Sequence, residues 1–332
     1  TFLVGAYIIF VNPAILSFAG QPDLQKLGAP FAATLAVTAL TAGVMSLMMG
    51  LWAGYPFMMA PGMGLNAFVA FTLIVGMKLT WQEAMGVIFL EGVAITILVL
   101  LGFRQSVMNA IPNLLKHSIA VGIGFFILFI GLVNSGLVVV GVPGDPVRLG
   151  DLRTVAFSVS VVGFALIAML EVIKVRGSLL LGIVLTTIYA IVANSVTGGM
   201  AFSGTPGVAV LPSGVLSSPD FSSLGAGFNL GVFTKVGFLA ALVAVLSVML
   251  SDFFDTMGTL VGVGEQAGFL DKDGKYPEKG LSRLLLTDSL GALFGGLAGS
   301  SSNTTYIESA AGVSQGARTG LASVVTGILF LL

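Results

Sequence analysis

Five carboxylates stand inside apolar stretches of this chain: Glu91, Asp252, Asp255, Asp288 and Glu308. An ionised carboxylate at the centre of a membrane helix costs about 2.5 to 3.5 kcal/mol on insertion scales, so each should face a cavity, carry a proton or bind something. No Lys or Arg falls centrally in an apolar stretch, which leaves these acids without an intramembrane counter-charge. Asp252 and Asp255, in Ser251-Asp252-Phe253-Phe254-Asp255-Thr256, are three residues apart and share a helix face. Such a pair suits a site that gains and loses a proton, although either acid alone would also serve to brace a neighbouring helix. Glu308 follows a hydroxyl-rich segment, 300–305, and would open a short helix as a ligand or as its cap. Asn66 holds an equivalent place earlier in the chain, offering a donor and an acceptor either to a ligand or to unwound backbone. For Glu91 an interhelical hydrogen bond is expected; Asp288 has no polar motif around it that decides between holding helices and handling protons. His117 sits among basic residues and reads as solvated.

The elements that position these groups follow from composition. Of 332 residues 56% are hydrophobic and 9% charged, a balance that a water-soluble surface of this size does not carry, so lipid is the solvent. A net charge of -1 offers nucleic acid no basic face. The absence of cysteine excludes disulfide frameworks and thiolate metal sites, and one histidine makes no metal cluster. No cleavable leader is recognisable at the start, and both ends lie in apolar runs, which predicts a chain trimmed at both ends.

A bilayer core about 30 Å thick calls for helices of about 20 apolar residues. Eleven candidate spans lie at 2–18, 30–52, 56–77, 82–103, 118–141, 154–174, 177–197, 234–262, 282–299, 303–315 and 318–332. Counting from a cytoplasmic N-terminus, the inner gaps hold Arg104, Lys116, Lys174, Arg176, Lys272, Lys275, Lys279, Arg283 and Arg318. The outer gaps hold Lys26, Lys78, Arg148, Arg153 and Lys235, so the positive-inside rule supports that orientation. Trp52 and Trp81 stand at span ends as interfacial anchors. Segment 104–117 reads as an amphipathic linker at the cytoplasmic surface and 198–233 as a long outer loop. Gly291, Gly295 and Gly299 form a small-residue stripe for close helix packing.

Two spans make poor continuous helices. Span 3 contains Pro56, Pro61, Gly62 and Gly64, and span 10 begins Ser300-Ser301-Ser302-Asn303-Thr304-Thr305. Freed backbone facing lipid costs several kcal/mol per group, so both must be buried in protein. Broken segments in corresponding positions of two inverted repeats mark the midplane site of many secondary transporters, and spans 3 and 10 fit a seven-plus-seven plan with about three spans lying beyond residue 332. Two softer motifs carry nothing. Gly262-Val263-Gly264-Glu265-Gln266-Ala267-Gly268 follows a membrane span rather than a strand, and 299–305 lacks the lysine of a phosphate loop.

Three motifs together resemble a known family: Ala60-Pro61-Gly62-Met63-Gly64-Leu65-Asn66-Ala67, Ser251-Asp252-Phe253-Phe254-Asp255-Thr256 and Asn303-Thr304-Thr305-Tyr306-Ile307-Glu308-Ser309. They look like the AzgA-like branch of the nucleobase permeases, in the nucleobase–ascorbate and xanthine–uracil permease superfamily. The resemblance implies an all-α polytopic fold of fourteen spans in two inverted repeats. Spans 1 to 4 (1–103) and 8 to 11 (234–332) would form a core domain, and linker and spans 5 to 7 (104–233) the first part of a gate domain. It further implies a substrate site between spans 3, 8 and 10. Asp255 matches the acid of span 8, Glu308 the residue after Asn-Thr-Thr-Tyr in span 10, and Asn66 the asparagine of span 3. Thr305 lies within that motif and Ile307 directly after it, before Glu308, and Met63 and Phe68 would cover the ring face. Asp288 matches a recurrent acid of span 9.

The implied activity is uptake of adenine, guanine or hypoxanthine across the plasma membrane. A proton is the coupling ion, with Asp255, Glu308, Asp252 and Asp288 as candidates to carry it, and no other cofactor is implied. Purine edges alternate N–H donors with N and O acceptors, which carboxylates and an amide complement. A homodimer is left open. The rivals are an anion carrier or channel of sulfate or bicarbonate type on the same plan, which would present few acids, and an intramembrane aspartyl protease, for which two acids on one helix are awkward.

Overall fold

The computed structural model describes residues 1–19, 21, 23–141, 147–175, 177–202, 209–211, 218–271 and 275–332. Arg176 and Lys272, counted above for orientation, lie outside them. In chain order the elements are α1 (Phe2–Gly5), α2 (Ile8–Leu16), α3 (Phe31–Met48), β1 (Met59–Pro61), α4 (Met63–Ala67), α5 (Trp81–Leu100), α6 (Phe103–Ala110) and α7 (Asn113–Asn134). There follow β2 (Val138–Val140), β3 (Val147–Leu149), α8 (Val155–Val172), α9 (Ser178–Val196), α10 (Val232–Val236), α11 (Phe238–Ala267), α12 (Glu278–Ala298), β4 (Asn303–Thr305), α13 (Ser309–Ser314) and α14 (Leu321–Leu331). Wider π-type turns extend α3 through Met49–Ala53 and α4 through Phe68–Gly76. Among the described residues, five helical stretches are long and apolar enough to cross a bilayer: Phe31–Ala53, Trp81–Leu100, Val155–Val172, Ser178–Val196 and Phe238–Ala267. The protein is an all-α polytopic membrane protein.

Two compact units divide the chain. One comprises Thr1–Ala120 with Ser218–Leu332, the other Val121–Ser217. Within the second, α8 and α9 lie side by side, a Cβ on Gly163 falling 2.7 Å from Thr186 and one on Gly182 2.1 Å from Ile167. Val161, Phe164, Ile188 and Val192 are exposed on that pair, as lipid-facing side chains would be.

The first unit holds the acids. Close packing joins α5 to α12, where a Cβ on Gly296 would stand 2.4 Å from Phe89 N and one on Gly92 2.3 Å from Leu293 N, so the two backbones touch. The glycine stripe of the sequence therefore serves differently from its expected role. Gly291 and Gly295 back onto the extended 301–303 backbone, and Gly299 ends α12 at φ +86. The helix-packing glycine is Gly296, one position round, because the segment after α12 folds back over its 291/295 face. At its start α5 is fixed by a capping box, Thr80 N donating to Glu83 (2.7 Å) and Glu83 N to Thr80 Oγ1 (3.3 Å). Lys235 of α10 bonds the same Glu83 at 2.9 Å.

Candidate functional site

Spans 3 and 10 break where expected, and their extended parts pair. β1 and β4 form a two-stranded antiparallel ladder with Met59 opposite Thr305, Ala60 opposite Thr304 and Pro61 opposite Asn303. Backbone bonds Gly62 N to Ser302 O (3.0 Å) and Tyr306 N to Met58 O (2.9 Å) lengthen it. Hydroxyls meet the rest of the freed backbone: Ser46 accepts from Met59 N (2.9 Å), Ser309 accepts from Met58 N (2.9 Å), and Ser323 donates to Phe57 O (2.7 Å). The side chain of Tyr306 donates to Pro61 O. Asn12 donates to Thr38 Oγ1 (2.7 Å) and Ser300 O (2.9 Å), pinning the segment to α2 and α3. Non-helical backbone is thereby satisfied inside protein, as the bilayer requires.

Around this crossing the expected residues take distinct places. Asn66, in α4, is fully buried, and neither its Nδ2 nor its Oδ1 has a partner, so it does not satisfy unwound backbone. Asp255 is part-buried and has no hydrogen-bond partner among the described residues. Its Oδ2 lies 3.4 Å from where a Cβ on Gly62 would stand, beside Thr304 Cγ2 at 3.1 Å, which puts the carboxylate over the junction of β1, α4 and β4. Glu308, part-buried at the head of α13, makes no cap; Tyr7 donates its hydroxyl to it instead. Asp255 and Glu308 are within electrostatic reach of each other. The Thr305 hydroxyl is buried and unpartnered. Met63 packs with Met58, Ala60 and Tyr306, while Ile307 and Phe68 pack in the two other apolar clusters.

Asp288 is a structural junction. It accepts from Arg104 Nη2 (2.7 Å), Thr256 Oγ1 (2.7 Å), Thr304 Oγ1 (3.2 Å) and Thr305 N (3.1 Å), so it ties β4 to α6, α11 and α12. Arg104 corrects two expectations. The acids do have a basic partner inside the core, and segment 104–117 does not begin at the surface: Arg104 is 2% exposed and also bonds Ser289 Oγ at 2.8 Å. Gly102, at φ +72, reverses the chain after α5 and points α6 back at α12. Asp252 is fully buried, 3.7 Å from Arg104 Nη2 and 3.4 Å from the Ser302 hydroxyl, so the two acids of α11 engage different neighbours. Glu91 lacks the expected interhelical bond; both its oxygens are buried without partners. His117 is half-exposed, 3.7 Å from Glu265.

The model of the Permease family, Xan_ur_permease, matches residues 1–332. The chain belongs to this family. The permease is 38% identical over 332 residues to the adenine permease AdeP of Escherichia coli, covering 100% of this chain and 68% of that one. It is 37% identical to the guanine/hypoxanthine permease PbuG of Bacillus subtilis (100% and 72% covered) and 36% identical to the guanine/hypoxanthine permease GhxP of E. coli O157:H7 (100% and 70%). In fold it is similar to the transmembrane domain of the cyanobacterial bicarbonate transporter BicA, with a TM-score of 0.59 at 16% identity over 99% of this chain and 80% of that one. Membership of a permease family makes the chain a transporter rather than an enzyme, which sets the protease rival aside.

Two residues of the permease's site were not singled out from sequence. Tyr7 carries a phenol in an apolar run, where a part-buried hydroxyl needs an acceptor. Arg104 is the lone cation directly after an apolar span, and the only signal of its inward turn is the preceding Gly102.

Proposed function

We propose that the protein is a secondary transporter that takes up purine nucleobases such as adenine, guanine or hypoxanthine in symport with protons. The observation that carries this is the chain-long identity to an adenine permease and to two guanine/hypoxanthine permeases. Site chemistry supports it: a buried amide at Asn66, unpartnered among the described residues, and a carboxylate at Asp255 match the donors and acceptors along a purine edge. Glu308, Thr305, Ile307 and Met63 complete the proposed wall. Asp255 and Glu308, with Asp252 and Asp288, are the acids proposed to handle the coupling proton. The likeness to a bicarbonate carrier extends to fold alone, and the acid-lined site disfavours an anion substrate.

In this proposal the seven-plus-seven repeat supplies the frame. A core of residues 1–103 and 234–332, with buried Arg104 counted in, moves against a gate that begins with 104–233. The N-terminus is cytoplasmic, the membrane is the plasma membrane, and a second copy of the chain is the partner to test for. One proton moving inward gains about 2.3 kcal/mol per 100 mV, which concentrates a neutral base about 50-fold. Uptake of radiolabelled adenine, guanine and hypoxanthine by cells expressing the full-length protein tests the proposal. Uptake of one of them, abolished by a protonophore and unaffected by sulfate or bicarbonate, is expected. Failure to take up any purine overturns the substrate class, and uptake indifferent to the protonophore overturns the coupling.

A further inference from the structure

We propose that Glu91, with Asp252 and Arg104, forms a second buried proton site beside β4, and that Glu91 holds the coupling proton in place of Asp255, Glu308 or Asp288. The inference rests on the reading of the chain as a proton-coupled purine permease and deepens it.

The charged groups facing Glu91 are Arg104 from α6, Asp252 from α11 and Asp288 from α12, with the Ser302 hydroxyl beside them. One guanidinium therefore stands among three carboxyl groups. Asp288 takes four donors, including the 2.7 Å bond from Arg104, which is the coordination of an anion and uses the one positive charge. Asp252 receives a single long hydroxyl contact, 3.4 Å from Ser302, and its other oxygen has no hydrogen bond. Glu91 is the least provided for: it is 0% exposed, neither oxygen has a hydrogen-bond partner within normal distance, and the nearest donor, the Ser302 hydroxyl, is shared with Asp252. An anion buried this deeply with so little donation is a costly state for a carboxyl group, and in the proposal Glu91 is the acid that carries a proton in this conformation.

Release of that proton has a definite consequence. The new anion competes for Arg104, whose Nε is unpartnered and whose Nη2 already lies 3.7 Å from Asp252. As Arg104 shifts from Asp288, the carboxylate that holds Thr304 Oγ1 and Thr305 N loses its strongest donor, and β4 loosens. Since β4 lies beside Asp255 and carries Thr305, the proton on Glu91 is sensed at the base site without touching the base. One proton enters Glu91 from outside as one base binds, and both leave inward.

The test is transport by the full-length protein in liposomes, with wild type, Glu91→Gln and Glu91→Asp compared for accumulation under an imposed inside-negative potential and for exchange of base at equilibrium. Gln mimics a permanently protonated acid. The expected result is that exchange by Glu91→Gln stays within about twofold of wild type while accumulation falls from about 50-fold per 100 mV to about onefold. Accumulation by Glu91→Gln equal to wild type overturns the proposal, as does loss of exchange together with accumulation in protein that still unfolds cooperatively. Should Glu91→Gln fail to purify, Glu91→Asp decides: accumulation with a shifted pH profile supports the proposal, and a profile identical to wild type overturns it. A wild-type protein that neither exchanges nor accumulates any purine overturns the substrate reading instead.

Discussion

Replacement of Arg104 by Gln tests whether the core is held by a buried charge pair. Arg104 and Asp288 are 2% and 0% exposed, 2.7 Å apart, and Arg104 also bonds Ser289 Oγ at 2.8 Å and Leu285 O at 3.3 Å. Removing one partner of such a pair leaves the other charge uncompensated and costs about 3–5 kcal/mol. A side chain on a solvated linker, the position that sequence alone suggests, would change stability by no more than about 0.5 kcal/mol. The two outcomes are far enough apart to measure. Unfolding free energies from SDS titration in mixed micelles should show Arg104→Gln destabilised by about 3 kcal/mol or more. The double variant Arg104→Gln/Asp288→Asn, in which no charge is stranded, should be less destabilised than the two single changes added together, with a coupling of about 1–3 kcal/mol. Arg104→Lys keeps the charge but cannot reach Asp288, Ser289 and the Leu285 carbonyl from one planar head, and should lose about 1–2 kcal/mol. Stability of Arg104→Gln within about 0.5 kcal/mol of wild type refutes the buried pair.

Three further outcomes are expected. Asn66→Ala removes an amide with no partner in the protein, so stability should hold or rise by up to about 1 kcal/mol while purine affinity falls about five- to tenfold, checked by thermal shift and binding on the same sample; a fall in stability would make Asn66 structural. Tyr7→Phe removes the donor to Glu308, and a double-mutant cycle with Glu308→Gln should give a coupling of about 1 kcal/mol in stability, a zero coupling refuting the contact. Gly296→Val drives a side chain into the α5 backbone at Phe89 and should cost about 1–3 kcal/mol or more in the SDS titration, whereas wild-type stability would mean that α5 and α12 are not in backbone contact.

The breaks in spans 3 and 10 were legible because proline, glycine and a hydroxyl run contradict an apolar helix locally. The pairing of those breaks into β1 and β4 is the simplest way to satisfy two freed backbones inside a bilayer. Most helix positions were legible for the same reason, since a span of about 20 apolar residues has one use, but the span expected at 118–141 is a helix at Asn113–Asn134 followed by β2, because its Gly-rich apolar run does not mark where the helix stops. Arg104 was not legible. Its burial depends on a chain reversal at Gly102 and on an acid 184 residues away, and neither leaves a mark in the local pattern. The glycine stripe misled because spacing on one helix says that a neighbour comes close, not which neighbour. Gly291 and Gly295 admit the extended segment, and Gly296 admits α5.

The polar groups of the first unit divide by whether the protein itself provides their partners. Asn12, Ser46, Ser309, Ser323 and Asp288 direct their hydrogen bonds at the broken backbone of β1 and β4 or at the elements that hold it. Among the described residues Asn66, the Thr305 and Ser301 hydroxyls and the Asn303 amide have no partner, although they stand on or beside that same backbone, and the part-buried Asp255 carboxylate lies over it. A buried amide left unpaired costs about 1–3 kcal/mol, and the surrounding hydroxyls show that a partner could have been provided by a single Ser or Thr. Groups left unpaired beside a backbone that is itself satisfied are where a ligand with its own donors and acceptors contributes most, because binding supplies bonds that folding withheld. Glu308 lies between the two classes, held by Tyr7 on one oxygen, and so links the frame to the site.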